Sequence, residues 1–289
     1  MTGNLFLTGL VQGLILALIT YAVMIPFRLL NFPDLTAEGA YPLGGAVCAS
    51  ALVMGINPVI AVLLSVMTAG ALTMTTGLIH LRLKVDTLLA GIILSTMAYS
   101  VNLRILGKPN VALFESSSIF IQQNSFGNII TLLLILSITV VPLALFLKTE
   151  FGLKLRAVGL NSNFAKRQGI SIAKYTMFGL FIAGCFTGLA AGFMVQLQKY
   201  MGIDMGVGIV IHALAALMIG EKLIGNDSLN KQLLAPLVGA LIYQQIQGVA
   251  LSIGLAPSDL KFFTGSLVLI VIAMQKKRST CIKISRNKH

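Results

Sequence analysis

The chain has 289 residues, of which 56% are hydrophobic and only 10% are charged, and its mean hydropathy is +0.91. Soluble domains carry about 25% charged residues, so this composition excludes an ordinary soluble protein and predicts an integral membrane protein. The formal net charge of +12 fits the enrichment of Lys and Arg in the cytoplasmic loops of membrane proteins, and it gives no reason to expect nucleic acid as a partner.

Long apolar stretches follow one another along the chain, and their length favours helices over the shorter, alternating strands of a β-barrel. We therefore predict an all-α polytopic membrane protein with about nine transmembrane helices, some of them broken or short. The first stretch is expected to be a span rather than a cleavable signal peptide, because no basic residue precedes Arg28. The predicted spans are Leu5–Phe27, Leu35–Met54, Pro58–Ile79, Leu88–Leu106, Ile129–Leu147, Tyr175–Gln196, Met205–Ile219, Leu233–Ile253 and Phe262–Met274.

The basic residues predict the orientation of these spans. If the basic tail, residues 276–289, is cytoplasmic, nine spans place every Lys and Arg on that same side except Arg104, Lys108, Lys199 and Lys261. This asymmetry is the one that the positive-inside rule describes. We expect a membrane domain over residues 1–275, followed by a cytoplasmic C-terminus.

The polar stretch after the fifth predicted span contains signals for two short helices. The first would cover Glu150–Val158, and Gly159 would end it in the left-handed conformation. Asn161 would cap the second, Ser162–Gln168, and Gly169 would end that one. This pattern predicts either a docking element for a partner or a basic loop that lies on anionic lipid.

The motif "GLKLRAVGLNSNFAKRQGIS" in this stretch resembles the loop by which permease subunits of bacterial ABC importers bind their ATPases, in the branched-chain amino-acid-type permease family. "FRLLNFPDLTAEGAYPLGGAV", "LLAGIILSTMAYSVNLRILGKPNV", "IDMGVGIVIHALAALMIGEKL" and "LAPSDLKFFTGSLVLIV" resemble further motifs of the same family, in the same order. His212 is a departure, since family members tend to carry Gly there. The resemblance implies that residues 148–174 form an ATPase-coupling loop. Its implied contact residues are Arg156, Ala157, Gly159, Asn161, Lys166, Arg167 and Gly169.

The resemblance also implies the function and the partners. The chain would be the transmembrane permease subunit of an ATP-binding-cassette importer for an amino acid or a similar small solute, in a branch that includes tryptophan and tyrosine uptake systems. It would form a homodimer in the lipid of the bacterial inner membrane, with cytoplasmic ABC ATPases on one side and an extracytoplasmic solute-binding protein on the other. The chain contains no "GxxxxGK[ST]" motif, and its nearest candidate, "GEKLIGND", lacks the Gly-Lys-Ser/Thr end. ATP and Mg would therefore be bound and ATP hydrolysed by the partner, and we expect no enzyme activity, cofactor, metal or catalytic residue in this chain.

The stretch "NFPDLTAEGAYPLGG", residues 31–45, carries two carboxylates, two prolines and three glycines inside an apolar region. A continuous lipid-facing helix would not tolerate them, so we predict a broken or re-entrant helix lining a cavity. A second interrupted stretch covers residues 202–221, and paired interruptions in transporters point to the substrate route. Asp34, Glu38 and Asp204 are the candidate pathway residues. Their carboxylates would contact substrate, or else cap the broken helices or pair with Arg28. Glu221 is expected in a solvated turn.

Two further predictions concern packing and the outer surface. Gly184, Gly188 and Gly192 share one helix face, which predicts close approach of another helix, in the same subunit or across a dimer. The outer loop over residues 107–127 is either a landing surface for the binding protein or a flexible connector.

An alternative function also remains at this point. The chain would be an ion-gradient-driven secondary transporter or channel, in which Asp34, Glu38 and Asp204 titrate within the membrane.

Overall fold

The structure is a computed structural model that describes residues 2–120, 125–254, 259, 262, 264–266 and 269. The described part is a bundle of long helices with one short β-ribbon. Its helices are α1 (Thr2–Met24), α2 (Ala37–Val53), α3 (Pro58–Leu83), α4 (Thr87–Leu106), α5 (Ser125–Lys148), α6 (Glu150–Leu160), α7 (Ser162–Arg167), α8 (Ile172–Gln198), α9 (Ile209–Ile224) and α10 (Leu229–Ser252). α1 continues into a π turn (Ile25–Leu29), a 3₁₀ turn (Ile203–Gly206) precedes α9, and β1 (Asn110–Ala112) pairs antiparallel with β2 (Tyr200–Gly202).

Seven helical segments of the described residues are long and apolar enough to cross a membrane. α2 coincides with a further predicted span, although it has only 17 residues. The ninth predicted span, Phe262–Met274, lies mostly outside the described residues, and the basic tail lies wholly outside them, so the count of nine stays a prediction. The chain is a multi-pass, largely α-helical membrane protein, and the β1–β2 ribbon is its departure from the all-α expectation.

Several helix boundaries follow directly from capping side chains and glycines. Asn57 accepts a hydrogen bond from the Val59 N–H at the start of α3, and Asp86 accepts one from the Leu88 N–H at the start of α4. Gly107 ends α4 in the left-handed conformation. α9 begins at Ile209, later than the predicted Met205, because the 3₁₀ turn occupies the preceding residues.

The two ends of the bundle carry different elements, and we name them the α6–α7 end and the ribbon end. The α6–α7 end carries the two short helices, and there Gly159 lies against the Leu29 carbonyl at the end of the π turn. The ribbon end carries β1 and β2, and there the Gln196 amide of α8 donates to the Pro58 carbonyl at the start of α3. Successive long helices run alternately between the two ends, so the first interrupted segment turns at the α6–α7 end.

The glycine face of α8 lies against α3 of the same subunit. A Cβ at Gly188 would lie 2.4 Å from the Ser65 carbonyl oxygen, and one at Gly184 would lie 2.6 Å from the Ala69 carbonyl oxygen. The Ser65 hydroxyl donates to the Gly188 carbonyl at 2.7 Å, as polar side chains do between closely packed membrane helices. Gly192 is less crowded, since the nearest atom to its added Cβ would be a Val62 methyl group at 3.3 Å. The predicted close approach is therefore made inside one subunit.

Candidate functional site

The first interrupted segment is an extended stretch between the π turn and α2. Asn31 adopts a positive φ of 50°, and the chain then runs without regular structure to Thr36. Asp34 is buried, and its carboxylate accepts hydrogen bonds from the backbone N–H and the hydroxyl of Thr36. The Thr36 hydroxyl also contacts the Thr76 hydroxyl of α3 at 2.6 Å. The Asp34 carboxylate therefore holds the turn before α2, and the Thr36 hydroxyl links that turn to α3.

Glu38 occupies a different environment, one turn into α2. It is half-buried, and its carboxylate accepts a hydrogen bond from the backbone N–H of Gly208. Gly208 has a φ of +81° and stands immediately before α9. The carboxylate of the first interrupted segment thus contacts the break in the second.

The backbones of the two interrupted segments also touch. A Cβ at Gly206 would lie 2.1 Å from the Glu38 carbonyl oxygen and 2.6 Å from the Pro42 ring, so only glycine allows this approach. Asp204 lies in the same 3₁₀ turn, but it is exposed. The structure therefore brings together the two segments that the sequence paired, while the three candidate carboxylates do not form one cluster.

Two cavities flank Glu38. The first, of about 280 Å³, lies between α2, α4 and the 3₁₀ turn, and its wall includes Ser95, Tyr99 and Asn102. The second, of about 340 Å³, lies on the α9 side and includes His212 in its wall. Glu38 and Val207 line both cavities, so the carboxylate stands on the wall between them.

Arg28 and Glu221 form a two-point ion pair at the α6–α7 end. The Arg28 Nε donates to Oε1 of Glu221 at 2.7 Å, and Nη2 donates to Oε2 at 2.5 Å. The Glu221 side chain is only 7% exposed, which makes the expectation of a solvated turn wrong. Arg28 thus pairs with Glu221 and not with any of the three candidate pathway carboxylates, because the π turn carries it beside the last turns of α9.

The coupling loop contains two short helices, as expected, but the first helix ends later than predicted. α6 continues through Gly159 to Leu160, and Asn161 follows in an extended conformation. Gly159 is therefore not a left-handed stop; it is small because a Cβ there would lie 1.9 Å from the Leu29 carbonyl oxygen. Asn161 caps α7 by accepting from the Phe164 N–H at 3.0 Å. Gly169 has a φ of +75° after α7, as the sequence predicted.

The loop is anchored to the bundle by aromatic and polar contacts. Phe151 of α6 packs on Tyr175 and Phe178 of α8, with ring centroids 4.5 and 4.9 Å apart. The Arg156 guanidinium donates to the Leu147 carbonyl at the end of α5 at 3.2 Å, where a cation complements the helix terminus. Arg156 therefore stabilises the loop itself, whereas Ala157 is partly buried beside it.

The outer surface of the loop is exposed and mixed in character. Leu160 is 88% exposed and Phe164 is 56% exposed, and Lys166 and Arg167 of α7 are exposed beside them. Apolar side chains flanked by cations are suited to docking a partner.

The outer loop is held by defined contacts up to residue 120. Lys199 has a φ of +55°, and its buried ammonium donates to the Ser116 carbonyl at 2.5 Å. The Gln196 amide oxygen accepts from the Ile119 N–H, and β1 pairs with β2. This part of the loop is anchored to α8, which disfavours a flexible connector over residues 107–120.

Ser95, Tyr99 and Asn102 are site residues that the sequence analysis did not single out. Their spacing of four and then three residues places them on one face of α4, and a polar face on an otherwise apolar membrane helix is the signal that would have identified them. Glu221 and Lys199 carried no comparable signal, because their partners are distant in sequence.

Two helix interruptions that contact each other within a bundle of long apolar helices, with an exposed helical loop at one end, are typical of the transmembrane subunit of a transporter. The family model for the branched-chain amino acid transport system, permease component, matches residues 5–273. The chain belongs to this family of ABC transporter permeases, whose membership implies an ATPase partner.

Individual relatives agree with this assignment. The chain is 34% identical to a tyrosine transport system permease protein of Clostridioides difficile over 91% of this chain and 88% of that protein. It is 26% identical to the galactofuranose transporter permease protein YtfT of Escherichia coli over 85% of this chain and 72% of that one. A solved structure of a metal-chelate type ABC transporter in an inward-facing conformation has a similar fold, with a TM-score of 0.55 at 16% identity over 95% of this chain and 85% of that chain.

Proposed function

We propose that this chain is the permease subunit of an ATP-driven importer for an amino acid or a similar small polar solute. The observation that carries the proposal is the contact between the two interrupted segments, Gly206 on the backbone of Glu38 and the Gly208 N–H on its carboxylate. Discontinuous helices that meet inside a membrane protein provide polar backbone and side chains along a route through the bilayer. Asp34 supports this route from its buried position, and Asp204 stands at its exposed edge.

The α6–α7 surface is the docking site for the ATPase in this proposal. Leu160 and Phe164 offer apolar contacts, and Asn161, Lys166, Arg167 and Gly169 set the shape and charge around them. Gly159 rests directly on the Leu29 carbonyl, so a displacement of α6 would be passed to the π turn and then to the first interrupted segment. ATP and Mg would act on the partner subunit, which moves this loop.

The α6–α7 end faces the cytoplasm in this arrangement, and the ribbon end faces the extracytoplasmic binding protein. Arg82, Lys148, Lys154 and Lys174 lie toward the α6–α7 end, whereas Lys108 and Lys199 lie near the ribbon, which follows the positive-inside rule. A bacterial inner membrane, a cytoplasmic C-terminus and a homodimer complete the proposal.

An amino acid is the solute class that the tyrosine system's permease supports, since that relative is similar over most of both chains. The galactofuranose permease matches at lower identity. The proposal therefore names an amino acid as the class and leaves the side chain of the solute open.

The test is solute uptake by proteoliposomes that contain the permease, its ATPase and its binding protein, with radiolabelled L-tyrosine as the first solute. We expect uptake only with ATP, and we expect Leu160→Glu combined with Phe164→Ala to lower it at least tenfold while the protein still inserts. Leu145→Ala, on an exposed apolar position of α5, is the matched control and should leave uptake unchanged. Wild-type uptake by the loop variant would contradict the α6–α7 surface as the docking site. Uptake by the permease alone after a pH step would overturn the importer and favour the ion-driven alternative.

A further inference from the structure

The cavity between α2, α4 and the 3₁₀ turn has an unusual wall for a membrane protein. Glu38, Ser95, Tyr99 and Asn102 line it together with apolar groups such as Pro42. At 1.5 Å per residue, Ser95 lies about 12 Å from the start of α4, close to the middle of a helix about 30 Å long. Ser95 therefore lies at the height where a hydrocarbon core would surround it, and Tyr99 and Asn102 follow about one and two turns closer to the ribbon end.

The side chain of Asn102 is the buried polar group of this wall that lacks hydrogen-bond partners in the described part of the chain. The side chain is fully buried, and neither its amide nitrogen nor its amide oxygen has a hydrogen-bond partner among the described residues. A buried primary amide without partners is costly, so such a group calls for an occupant of the cavity that can both donate and accept. Ser95 adds an acceptor, because its hydroxyl proton is already donated to the Ile92 carbonyl.

Among its described residues, the wall of the cavity also carries a negative charge without a positive one. Glu38 is the charged residue of its wall, and the described residues of that wall include no Lys, Arg or His. The Gly208 N–H gives the carboxylate a hydrogen bond but no countercharge, and Arg28 is held by Glu221 at the α6–α7 end. A carboxylate in surroundings of low dielectric attracts a cation strongly, and a small solute with an ammonium group would supply one.

The cavity is open to an occupant of this size. Tyr99 and Val207 on its rim are exposed. Its volume of about 280 Å³ is just below the range of about 300–1,000 Å³ that is usual for ligand pockets. The opening faces the surface of the protomer between α2 and α4, beside the contact of the two interrupted segments.

We propose that this cavity is a solute subsite selective for a primary ammonium group, in which Glu38 binds the ammonium and Asn102 pairs with a second polar group of the same solute. This proposal specifies the kind of solute that the proposed importer carries. It rests on the importer function for the identification of the occupant as a transported solute. Binding there is weak, because a transporter must also release what it holds, and the ammonium distinguishes amino acids from sugars that lack one.

The test uses the purified full chain and measures the charge preference of the cavity directly. Cys48 and Cys185 are replaced by Ala and Cys281 by Ser, and Ser95→Cys is introduced as the reporter. The probes are two methanethiosulfonates of similar size, one with an aminoethyl group and one with a sulfonatoethyl group. We expect the aminoethyl reagent to react at least tenfold faster, after normalisation to the same ratio at Asn226→Cys, an exposed position.

Three variants in the reporter background make the result specific. Glu38→Gln keeps an oxygen for the Gly208 N–H and should reduce the normalised preference to about one. Asn102→Asp in the Glu38→Gln background returns a negative charge to the same cavity and should restore the preference to within about threefold. Glu115→Gln, a change of the same charge in the outer loop, should have no effect. Elution as a single species on size-exclusion chromatography confirms that each variant is folded.

The outcomes separate the subsite from the transport function. Equal reaction of both reagents in the reporter protein, or a preference that survives Glu38→Gln or ignores Asn102→Asp, would overturn the subsite even if ATP-driven uptake is observed. The protein could instead show the expected charge preference and variant responses but fail to support ATP-driven uptake. That result would support the ammonium-selective cavity and contradict the importer function.

Discussion

Arg28 holds Glu221 through two hydrogen bonds and so joins the end of the π turn to the last turns of α9. The contact spans the two interrupted segments of the chain at the α6–α7 end, whereas Glu38 and Gly208 join them deeper in the bundle. The two segments are therefore tied at two heights, once by a charged pair and once by a backbone hydrogen bond. Relative motion of the segments would have to break or rotate at least one of these ties.

Removing the cation of this pair should destabilise the protein. Breaking a fully buried ion pair costs about 3–5 kcal/mol, but the Arg28 side chain is 44% exposed, so water offsets part of the loss. We expect Arg28→Ala to lower the free energy of unfolding by about 1–3 kcal/mol, measured as a lower thermal midpoint of the monodisperse peak. Asp227→Asn removes one partner of the exposed Lys231–Asp227 pair and should change the midpoint little. A recovery in Arg28→Ala with Glu221→Gln would show that the unpaired carboxylate causes the loss.

The glycine face of α8 predicts a graded response to alanine. At Gly188 the added Cβ would lie 2.4 Å from backbone oxygen of α3, whereas at Gly192 it would lie 3.3 Å from a methyl group that can rotate away. We expect Gly188→Ala to cost about 1–3 kcal/mol through overpacking and Gly192→Ala to cost clearly less. Thermal midpoints of both variants in the same detergent provide the comparison. Equal midpoints would contradict the close contact of α3 with Gly188.

Gly159 offers a test of mechanical connection between the loop and the bundle. A Cβ there would lie 1.9 Å from the Leu29 carbonyl oxygen, so Gly159→Ala must displace α6 from the π turn. We expect ATP-driven uptake to fall at least tenfold, while ATP hydrolysis by the assembled transporter continues. Gly55→Asn is the matched control, because Gly55 lies between α2 and α3, away from the α6–α7 end, with a positive φ of 76° and open space around it, and Asn tolerates that conformation. If ATP hydrolysis and uptake stayed coupled in Gly159→Ala, the movement of the loop would not be transmitted through the contact with Leu29.

Much of this architecture was predictable from the sequence because it depends on local signals. Run length predicted the seven helical segments of the described residues that are long and apolar enough to cross a membrane, Asn161 predicted the start of α7, and the prolines and carboxylates of residues 31–45 predicted a break. Gly159 was assigned the wrong local role, since a helix stop and a helix contact both select glycine and only the position of Leu29 distinguishes them. The contact that links the turn at Asp34 to α3 was not predictable, because Thr36 and Thr76 are 40 residues apart in the chain.

The remaining features depend on long-range contacts that a sequence pattern does not contain. Glu221 resembles a solvated terminus until the π turn brings Arg28 within 2.5 Å. The buried state of Asn102 likewise requires the packing of α2 on α4, because residues on the two sides of a membrane helix look alike when most of its surface is apolar. Polar spacing can propose a face, but only the neighbouring helix decides whether that face is a cavity wall.

Lys199 should determine the order of the outer loop. Its ammonium donates to the Ser116 carbonyl and its backbone adopts a φ of +55°, so one residue both turns the chain into β2 and holds the loop that contains β1. Lys199→Met keeps the apolar stem and removes the donor, and the Ser116 carbonyl then loses its charge-assisted partner, a bond worth about 1.5–3 kcal/mol. We expect faster amide hydrogen exchange in the loop, within residues 110–120, and little change in the long helices. Lys108→Met, at an exposed lysine of the same loop, should exchange at the wild-type rate. If both variants exchanged alike, the loop would owe its order to the β1–β2 pairing, and Lys199 would serve only the turn.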